Sequence, residues 1–315
     1  MGIMAKITYV TLGPQPHLGH LDWLRAMRRL GHDVRVMTLR RPFGKITGDV
    51  LITEGVRPTA IGRLLAVTHR CWSAIAASPS ILSPPVNTLY SAPDLVIAVS
   101  SLVKDLITNK SLILHPRPPE LDTLLKFPID SKMPWVCYSG VFIPIKGVHK
   151  IPEIARDVVG ELRREVKFIL AGGSQRDTLG SYIIKKAHGY GISDNIKIVG
   201  RLPRSDLLRL LSKCSVYIQP SLFDAFSIAA VEAAALGSVP VVTKYVGSKD
   251  VITKVDANLV TDLNPKSMAK IIIELLNNDL LLRDLGRVVR KVIGEYLSRS
   301  NIVRQVSSLI IQCLE

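Results

Sequence analysis

Residues 216–242 read VYIQPSLFDAFSIAAVEAAALGSVPVV, and this stretch decides the fold class. A short extended run, 216–219, gives way to a loop carrying Asp224. An alanine-rich helical segment, 227–236, stops at Gly237, and a second extended run follows at 240–243. Strand, helix and strand in that order form a βαβ unit, which closes on a parallel sheet. A helix opening directly after a strand offers unpaired N–H groups and the positive end of its dipole to an anion. Glu232, one to two turns into that helix, is in reach of polyol hydroxyls beside such an anion. Two acids at this spacing are, taken alone, equally an ordinary surface pair flanking a helix cap.

The same alternation continues outward in both directions. Strands are expected at 135–139, 166–171 and 196–199, with helices at 148–164, 179–188 and 205–214. From 264 the chain is mostly helical, and its last helices have room to pack back across a linker. Toward the N-terminus come a strand at 6–12, a helix at 21–30 ended by Gly31, runs at 34–38, 49–53 and 94–99, a helical 102–108, and a closing segment at 112–115. Residues 116–134 hold five prolines and little periodicity, which predicts the linker. Two blocks of βαβ units predict two Rossmann-like domains, 1–125 and 126–315. Their ligands belong in the loops beyond the carboxyl ends of the strands.

A length of 315 residues suits two domains, and 47% hydrophobic residues exclude a disordered chain. No apolar run reaches the roughly 18 residues of a membrane span. No signal-peptide pattern precedes the first strand, so a cytoplasmic protein is expected. Forty-one basic against 26 acidic side chains give +15, a field that favours anionic partners. Only 5% of residues are aromatic, which argues against a nucleic-acid partner, since single-strand binders stack bases on rings. Cys71, Cys137, Cys214 and Cys313 lie far apart without Cys/His ligand spacing, and are expected reduced and buried.

The stretch 220–242 resembles the acidic motif of retaining GT-B glycosyltransferases, in particular glycosyltransferase family 4 (glycosyl transferases group 1). The family pattern is P-S-x-x-E-G-F-G-x-x-x-x-E-A-x-A-x-G-x-P-V-V. Pro220, Ser221, Phe226, Glu232, Ala233, Ala235 and Gly237 match it in order and spacing, and Pro240, Val241 and Val242 follow in the same order one residue later. Asp224 stands where the first Glu is usual, and Ala225 and Ser227 where the two glycines are. YSGVFIPIKG, 138–147, resembles the family's G-R-L-x-x-x-K-G loop through Gly140, Lys146 and Gly147. FILAGGS (168–174), NIKIVG (195–200) and the helix at 203–214 resemble the segments leading to the nucleobase. VGSKDVI (246–252) is a weaker match to a G-G-x-x-E-x-I loop. In the first half, Gly31–His32–Asp33–Val34 resembles the family's G-H-E-V turn, residues 13–19 its acceptor-side glycine loop, and 98–101 the strand end before the linker. Residues 41–92 carry no such match.

The resemblance implies a GT-B architecture, with parallel Rossmann-like sheets facing across a cleft. It implies retaining transfer of a sugar from a nucleotide diphosphate donor to an acceptor hydroxyl of a glycan, lipid or small molecule. No cofactor is implied beyond the nucleotide sugar, and no metal. Lys146 would hold the diphosphate and Asp224 the sugar hydroxyls. Glu232 would take the ribose hydroxyls, the backbone of Phe226, Ser227 and Ile228 the diphosphate, and Arg201 and Leu202 the base edge. Gly140 would sit beneath the donor, and Gly13, His17 and Gly19 on the acceptor side. The family's Arg beside the lysine is replaced by Val141, for which Lys244, Lys249 and Arg201 are candidate substitutes.

Among the histidines, His17 reads evenly as an acceptor contact or a capping group. His20 reads as a satisfied surface or capping residue, and His69 as structural. Arg25, Arg28 and Arg29 share one helix face, with Arg40, Arg41 and Lys45 nearby in sequence; such a run is usually a solvated face. Residues 59–77, with Arg63 and Arg70 on an apolar segment, read as a buried helix or as an acceptor-side or membrane-surface helix. The basic sets predict reversible association with an anionic membrane. Two rival readings use the same donor site: a sugar-nucleotide epimerase or hydrolase, and a non-catalytic module that binds nucleotide sugar or recruits a partner.

Overall fold

The computed structural model describes residues 4–39, 46–129, 132–162 and 165–315. It divides into two compact units, Met1–Pro119 with Leu297–Glu315, and Glu120–Tyr296. The first unit holds β1 (Lys6–Thr11), β2 (Asp33–Thr38), β3 (Val50–Glu54), β4 (Cys71–Ala76), β5 (Leu95–Ala98) and β6 (Ser111–Ile113). All are parallel, in the order β2-β1-β3-β4-β5-β6. The second holds β7 (Met133–Ser139), β8 (Lys167–Ala171), β9 (Ile196–Gly200), β10 (Cys214–Gln219), β11 (Val239–Thr243) and β12 (Val260–Thr261). These are also parallel, in the order β12-β11-β10-β7-β8-β9. The longer helices are α1 (Leu21–Arg29), α2 (Ile151–Glu161), α3 (Thr178–Gly189), α4 (Arg204–Lys213), α5 (Ile228–Ala235), α6 (Pro265–Asn277), α7 (Asp279–Tyr296) and α8 (Arg299–Leu314).

Every residue of the central strands β4, β5, β10 and β11 is buried. Helices cover both faces of a parallel sheet, so its inner strands read as continuous apolar runs without alternation. β2, at an edge, keeps Asp33 and Arg35 in water, as edge strands do. Both strand orders reverse once. The reversal falls at β1/β3 in the first unit and β7/β10 in the second, and each opens a crevice at the carboxyl ends of those two strands.

Three expectations are corrected here. Residues 59–77 are not one helix: after short helical turns at Val56–Ala60 and Gly62–Leu65, Cys71–Ala76 is a strand inside the sheet. A buried run of six, apolar but for Ser73, suits either element, and pairing with β3 and β5 decides it. The helix expected at 102–108 spans only Ser101–Lys104. The proline-rich 116–134 segment does contain the division between the units, with Arg117, Leu121 and Leu124 fully buried, but the division does not fall where it was expected. Arg117 pairs with buried Asp22 at 2.5 Å and donates from Nε to the Leu297 carbonyl at 2.8 Å. Its backbone N–H donates to the Gly19 carbonyl at 3.0 Å. The units accordingly divide at Pro119 and Glu120, not at 125, and α8 packs against α1 within the first unit.

A fourth correction concerns the cysteines. Cys137 on β7 and Cys214 on β10 form a disulfide with a Cα–Cα distance of 6.1 Å, a separation that adjacent strands supply. Cys71 and Cys313 are buried free thiols, as expected. Arg40, Arg41 and Lys45, and the end of the helix expected to reach 164, lie outside the described residues.

Candidate active site

Two loops meet at the β7/β10 crevice. After β7, Gly140 donates its N–H to the Ala171 carbonyl at 3.0 Å, and a turn at Pro144–Lys146 follows. After β10, the chain runs back against that turn. Leu222 donates its N–H to the Ile145 carbonyl at 2.8 Å, and Ser221 Oγ lies 3.4 Å from the Lys146 carbonyl. Gly147, at φ +68°, lies so close to Pro220 that a Cβ would strike its carbonyl.

This knitting brings Lys146 Nζ to 2.7 Å from Asp224 Oδ2, with the two side chains 20% and 12% exposed. Asp224 is held further by its own loop. Its Oδ1 accepts the Ser227 N–H at 3.0 Å, its N–H donates to the Tyr245 carbonyl at 2.9 Å, and its carbonyl accepts the Gly247 N–H at 2.8 Å. Tyr138 lies close by: burial first, then the charge of Asp224, raises its phenol above the ordinary range.

Ser227 caps α5 at φ +62°, the one non-glycine residue with positive φ among those described. That accounts for the glycine usual at this position in the family, because a side chain there costs about 1–2 kcal/mol. The Ser227 N–H, expected to face a diphosphate, is spent on Asp224 in this structure. The first-turn N–H groups of α5, from Ile228 onward, still lack intrahelical acceptors. Phe226 is buried, at 4% exposure.

Glu232 is 5% exposed, and both its oxygens are engaged by a residue the sequence reading missed. Arg204 donates from Nη1 to Oε2 at 2.9 Å and from Nη2 to Oε1 at 2.6 Å. Its other edge reaches Glu120 Oε2, from Nε at 3.0 Å and Nη2 at 2.8 Å. Burial alone would lower the guanidinium pKa, but Glu232 and then Glu120 outweigh it and hold it above the usual range. Arg201 and Leu202 follow the end of β9, with Arg201 exposed and Leu202 half-buried.

Val141 is 56% exposed and brings no charge to the loop. Of its candidate substitutes, Lys244 lies over the Tyr245 ring at 5.4 Å, Lys249 opens a short helical turn, and Arg201 faces solvent. Among the described residues none of the three pairs with Lys146 or Asp224.

The first unit's crevice, at β1/β3, carries a second polar cluster. Glu54 ends β3, and its Oε1 accepts from the His17 backbone N–H at 3.0 Å and from His20 Nδ1 at 2.7 Å. His20 is 2% exposed, stacked on Trp23 at 4.2 Å, and 3.3 Å from Tyr9 Oη. It is a buried and satisfied residue, not a surface one. Burial pushes the Glu54 carboxyl up, but its bonds from His20, His17 and Tyr9 prevail and hold it below the ordinary value. Glu54 Oε2 is buried and without a partner. His17 is exposed and caps a turn, its Nδ1 accepting the Gly19 N–H at 3.2 Å. A neutral ring so held carries its proton on Nε2, as a donor toward solvent. Gly13 begins the same loop, its N–H donating to Thr11 Oγ1 at 3.3 Å. His69 lies half-buried with both ring nitrogens unpartnered.

Among the described residues no three His, Cys, Asp or Glu side chains gather as a metal site, and no helix is long and apolar enough to cross a membrane.

Residues 124–292 match the family model of glycosyl transferases group 1. The MMP alpha-(1->4)-mannosyltransferase of Mycolicibacterium hassiacum is 28% identical over 222 residues, 68% of this chain and 52% of its own length. The chain thus spans about half the length of that curated relative. Sucrose-phosphate synthase from Thermosynechococcus elongatus superposes with a TM-score of 0.73 at 15% identity, covering 98% of both chains. Anabaena HepE, in complex with UDP and glucose, superposes with a TM-score of 0.72 at 16% identity, covering 98% of this chain and 99% of its own. These likenesses show the fold, two α/β units of the GT-B class.

Proposed function

Because the chain belongs to the glycosyl transferases group 1 family, we propose that it transfers a sugar from a nucleotide diphosphate donor to an acceptor hydroxyl, with retention, as a member of family 4. The observation that carries this reading is the Lys146–Asp224 pair at the crevice between β7 and β10, directly before the N-terminus of α5. A diphosphate there meets a cation and open backbone N–H groups, while Asp224 offers a carboxylate to sugar hydroxyls. The bond from the anomeric carbon to the diphosphate oxygen breaks, and its electron pair stays on phosphate beside Lys146. The acceptor oxygen bonds the anomeric carbon from the same face, and its proton passes to that phosphate oxygen. His17, with its Nε2–H, and the loop from Gly13 to Gly19 serve the acceptor. HepE's complex with UDP and glucose is consistent with a nucleotide-sugar donor here.

A thermal-shift screen of UDP, GDP, ADP and their sugars tests the reading, because bound ligand stabilises the fold by RT ln(1 + [L]/Kd). Stabilisation by one base series, followed by turnover with its sugars, is expected. Glu232→Ala should raise the donor KM by roughly 10- to 100-fold with little change in kcat, because ribose hydroxyls do not change during transfer. Steady-state kinetics with varied donor separate the two parameters. Exhaustive chelation should leave activity intact, since Lys146 and the helix end already meet the diphosphate charge; a strict Mg²⁺ or Mn²⁺ requirement would overturn that.

Exposed, uncharged Val141 favours one second reading, a module that binds nucleotide sugar without turning it over. Nucleotide-dependent stabilisation without product across a broad acceptor panel would select it. We also propose a cytoplasmic protein that docks reversibly on anionic membrane. Leu64 and Val67, 78% and 80% exposed, follow Arg63 in the same pair of short helical turns. Flotation with acidic liposomes is expected at low salt and lost at high salt, each near-surface charge being worth about 1 kcal/mol.

A further inference from the structure

Lys146 and Asp224 follow the carboxyl ends of β7 and β10. At the amino ends of the same two strands, beside Pro134 and Ser215, lies a cleft of about 470 Å³ that the reading above does not use. We propose that this cleft binds a small phosphate monoester, whose phosphoryl group meets Lys132, Arg283 and Arg287. Arg283, Arg287 and Arg290 recur at four- and three-residue spacing, which sets them on one face of α7. Gly286 lets that face approach closely, since a Cβ there would lie 2.8 Å from the Gly237 carbonyl oxygen. Lys132, directly before β7, lines the same cleft. Its Nζ donates to the carbonyls of Ser212 at 2.9 Å and Leu236 at 2.7 Å, at the C-terminal ends of α4 and α5. An ammonium has three N–H groups, so one remains for a ligand.

Negative charge is scarce there. Among the described residues Asp279 is the one acid on the lining, and its backbone carbonyl accepts from Arg283 Nε at 3.2 Å. Arg287 approaches Asp284 only to 3.6 Å, with both side chains more than half exposed. Burial first, then the charge of Arg290, pushes the Lys132 ammonium down to about 7. A dianion beside it offsets both penalties. The cleft falls in the range of small-molecule sites, roughly 300–1,000 Å³, and is larger than a bare phosphate needs. Ile129, Pro134 and Leu282 give it an apolar wall for the carbon skeleton of an ester.

The test is calorimetry on the full chain with glycerol 3-phosphate, glucose 6-phosphate, inorganic phosphate and glucose, in about 0.15 M salt to screen diffuse attraction. At least one ester should bind one to one and more tightly than inorganic phosphate, and glucose should not bind. Arg283→Ala and Arg287→Ala should each weaken the ester by about tenfold or more, the worth of one hydrogen bond to a charged group. Both side chains are exposed, so these variants keep the fold, which matching circular dichroism and melting curves check. Lys146→Ala should leave ester affinity unchanged, which separates this site from the diphosphate loop.

If neither ester binds at about 10 mM, the proposal fails, because the phosphoryl group they share is what the cleft recognises. It fails too if binding survives in the Arg283→Ala/Arg287→Ala double variant or disappears in Lys146→Ala, since the ester then sits elsewhere. Equal affinity for inorganic phosphate would mean that the apolar wall takes no part, and would overturn the assignment to an ester. None of these results bears on the nucleotide-sugar reading, which stands or falls on its own site.

Discussion

Lys146→Ala is expected to lower turnover at saturating donor by about 10² or more, the usual cost of removing one charge-directed donor from a developing anion. The expectation is strengthened by Val141. The loop offers a single cation within reach of Asp224, and none of Lys244, Lys249 or Arg201 pairs with that site among the described residues. Affinity for the free nucleoside diphosphate should fall less, because the ground-state diphosphate keeps the N–H groups of α5. The signature is therefore a kcat effect larger than the Kd effect, the reverse of Glu232→Ala. Single-turnover rates beside calorimetric affinities measure both. Full turnover in Lys146→Ala would remove the diphosphate from this loop and the proposed mechanism with it.

What could be read in the sequence follows from how each residue earns its place. Lys146, Asp224 and Glu232 were picked out by resemblance to the family's loop and acidic motif, and the structure brings Lys146 beside Asp224. Arg204 was not picked out, since its partners Glu120 and Glu232 lie 84 and 28 residues away and only the sheet order brings them together. Glu54 was invisible for the same reason: it meets His17 and His20 only because β3 pairs with β1. The five apolar residues and Ser73 at Cys71–Ala76 do not distinguish helix from strand until neighbouring strands are in place. Cys137 and Cys214, 77 residues apart, likewise become partners only through strand adjacency. The proline-rich stretch 116–134 does hold the boundary between the units, but proline signals irregular backbone and says nothing of burial, so the buried Arg117 and its bond to Leu297 could not be read from it.

Gly147→Ala should abolish the proposed transfer although it removes none of the side chains assigned to the donor or acceptor. Its φ of +68° costs an alanine about 1–2 kcal/mol before any contact is counted. The new Cβ also meets Pro220, whose carbonyl carbon lies only 2.6 Å from it. Pro220 cannot retreat easily, because Leu222 is tied to Ile145 and Asp224 to Tyr245 and Gly247. The two loops must therefore part, which adds about 1–3 kcal/mol of overpacking strain. Parting them separates Lys146 from Asp224, and a displacement near 1 Å typically costs about 10² in rate. Gly31→Ala supplies the comparison. Its φ is +89°, but nothing lies within 4 Å of the added Cβ. That variant should lose about 1–2 kcal/mol and keep its turnover. Melting temperatures and kcat for the two alanines thus separate backbone strain, which both share, from the loop contact that only Gly147 makes. Equal kcat values in the pair would mean that the Gly147–Pro220 contact does not hold Lys146 in place.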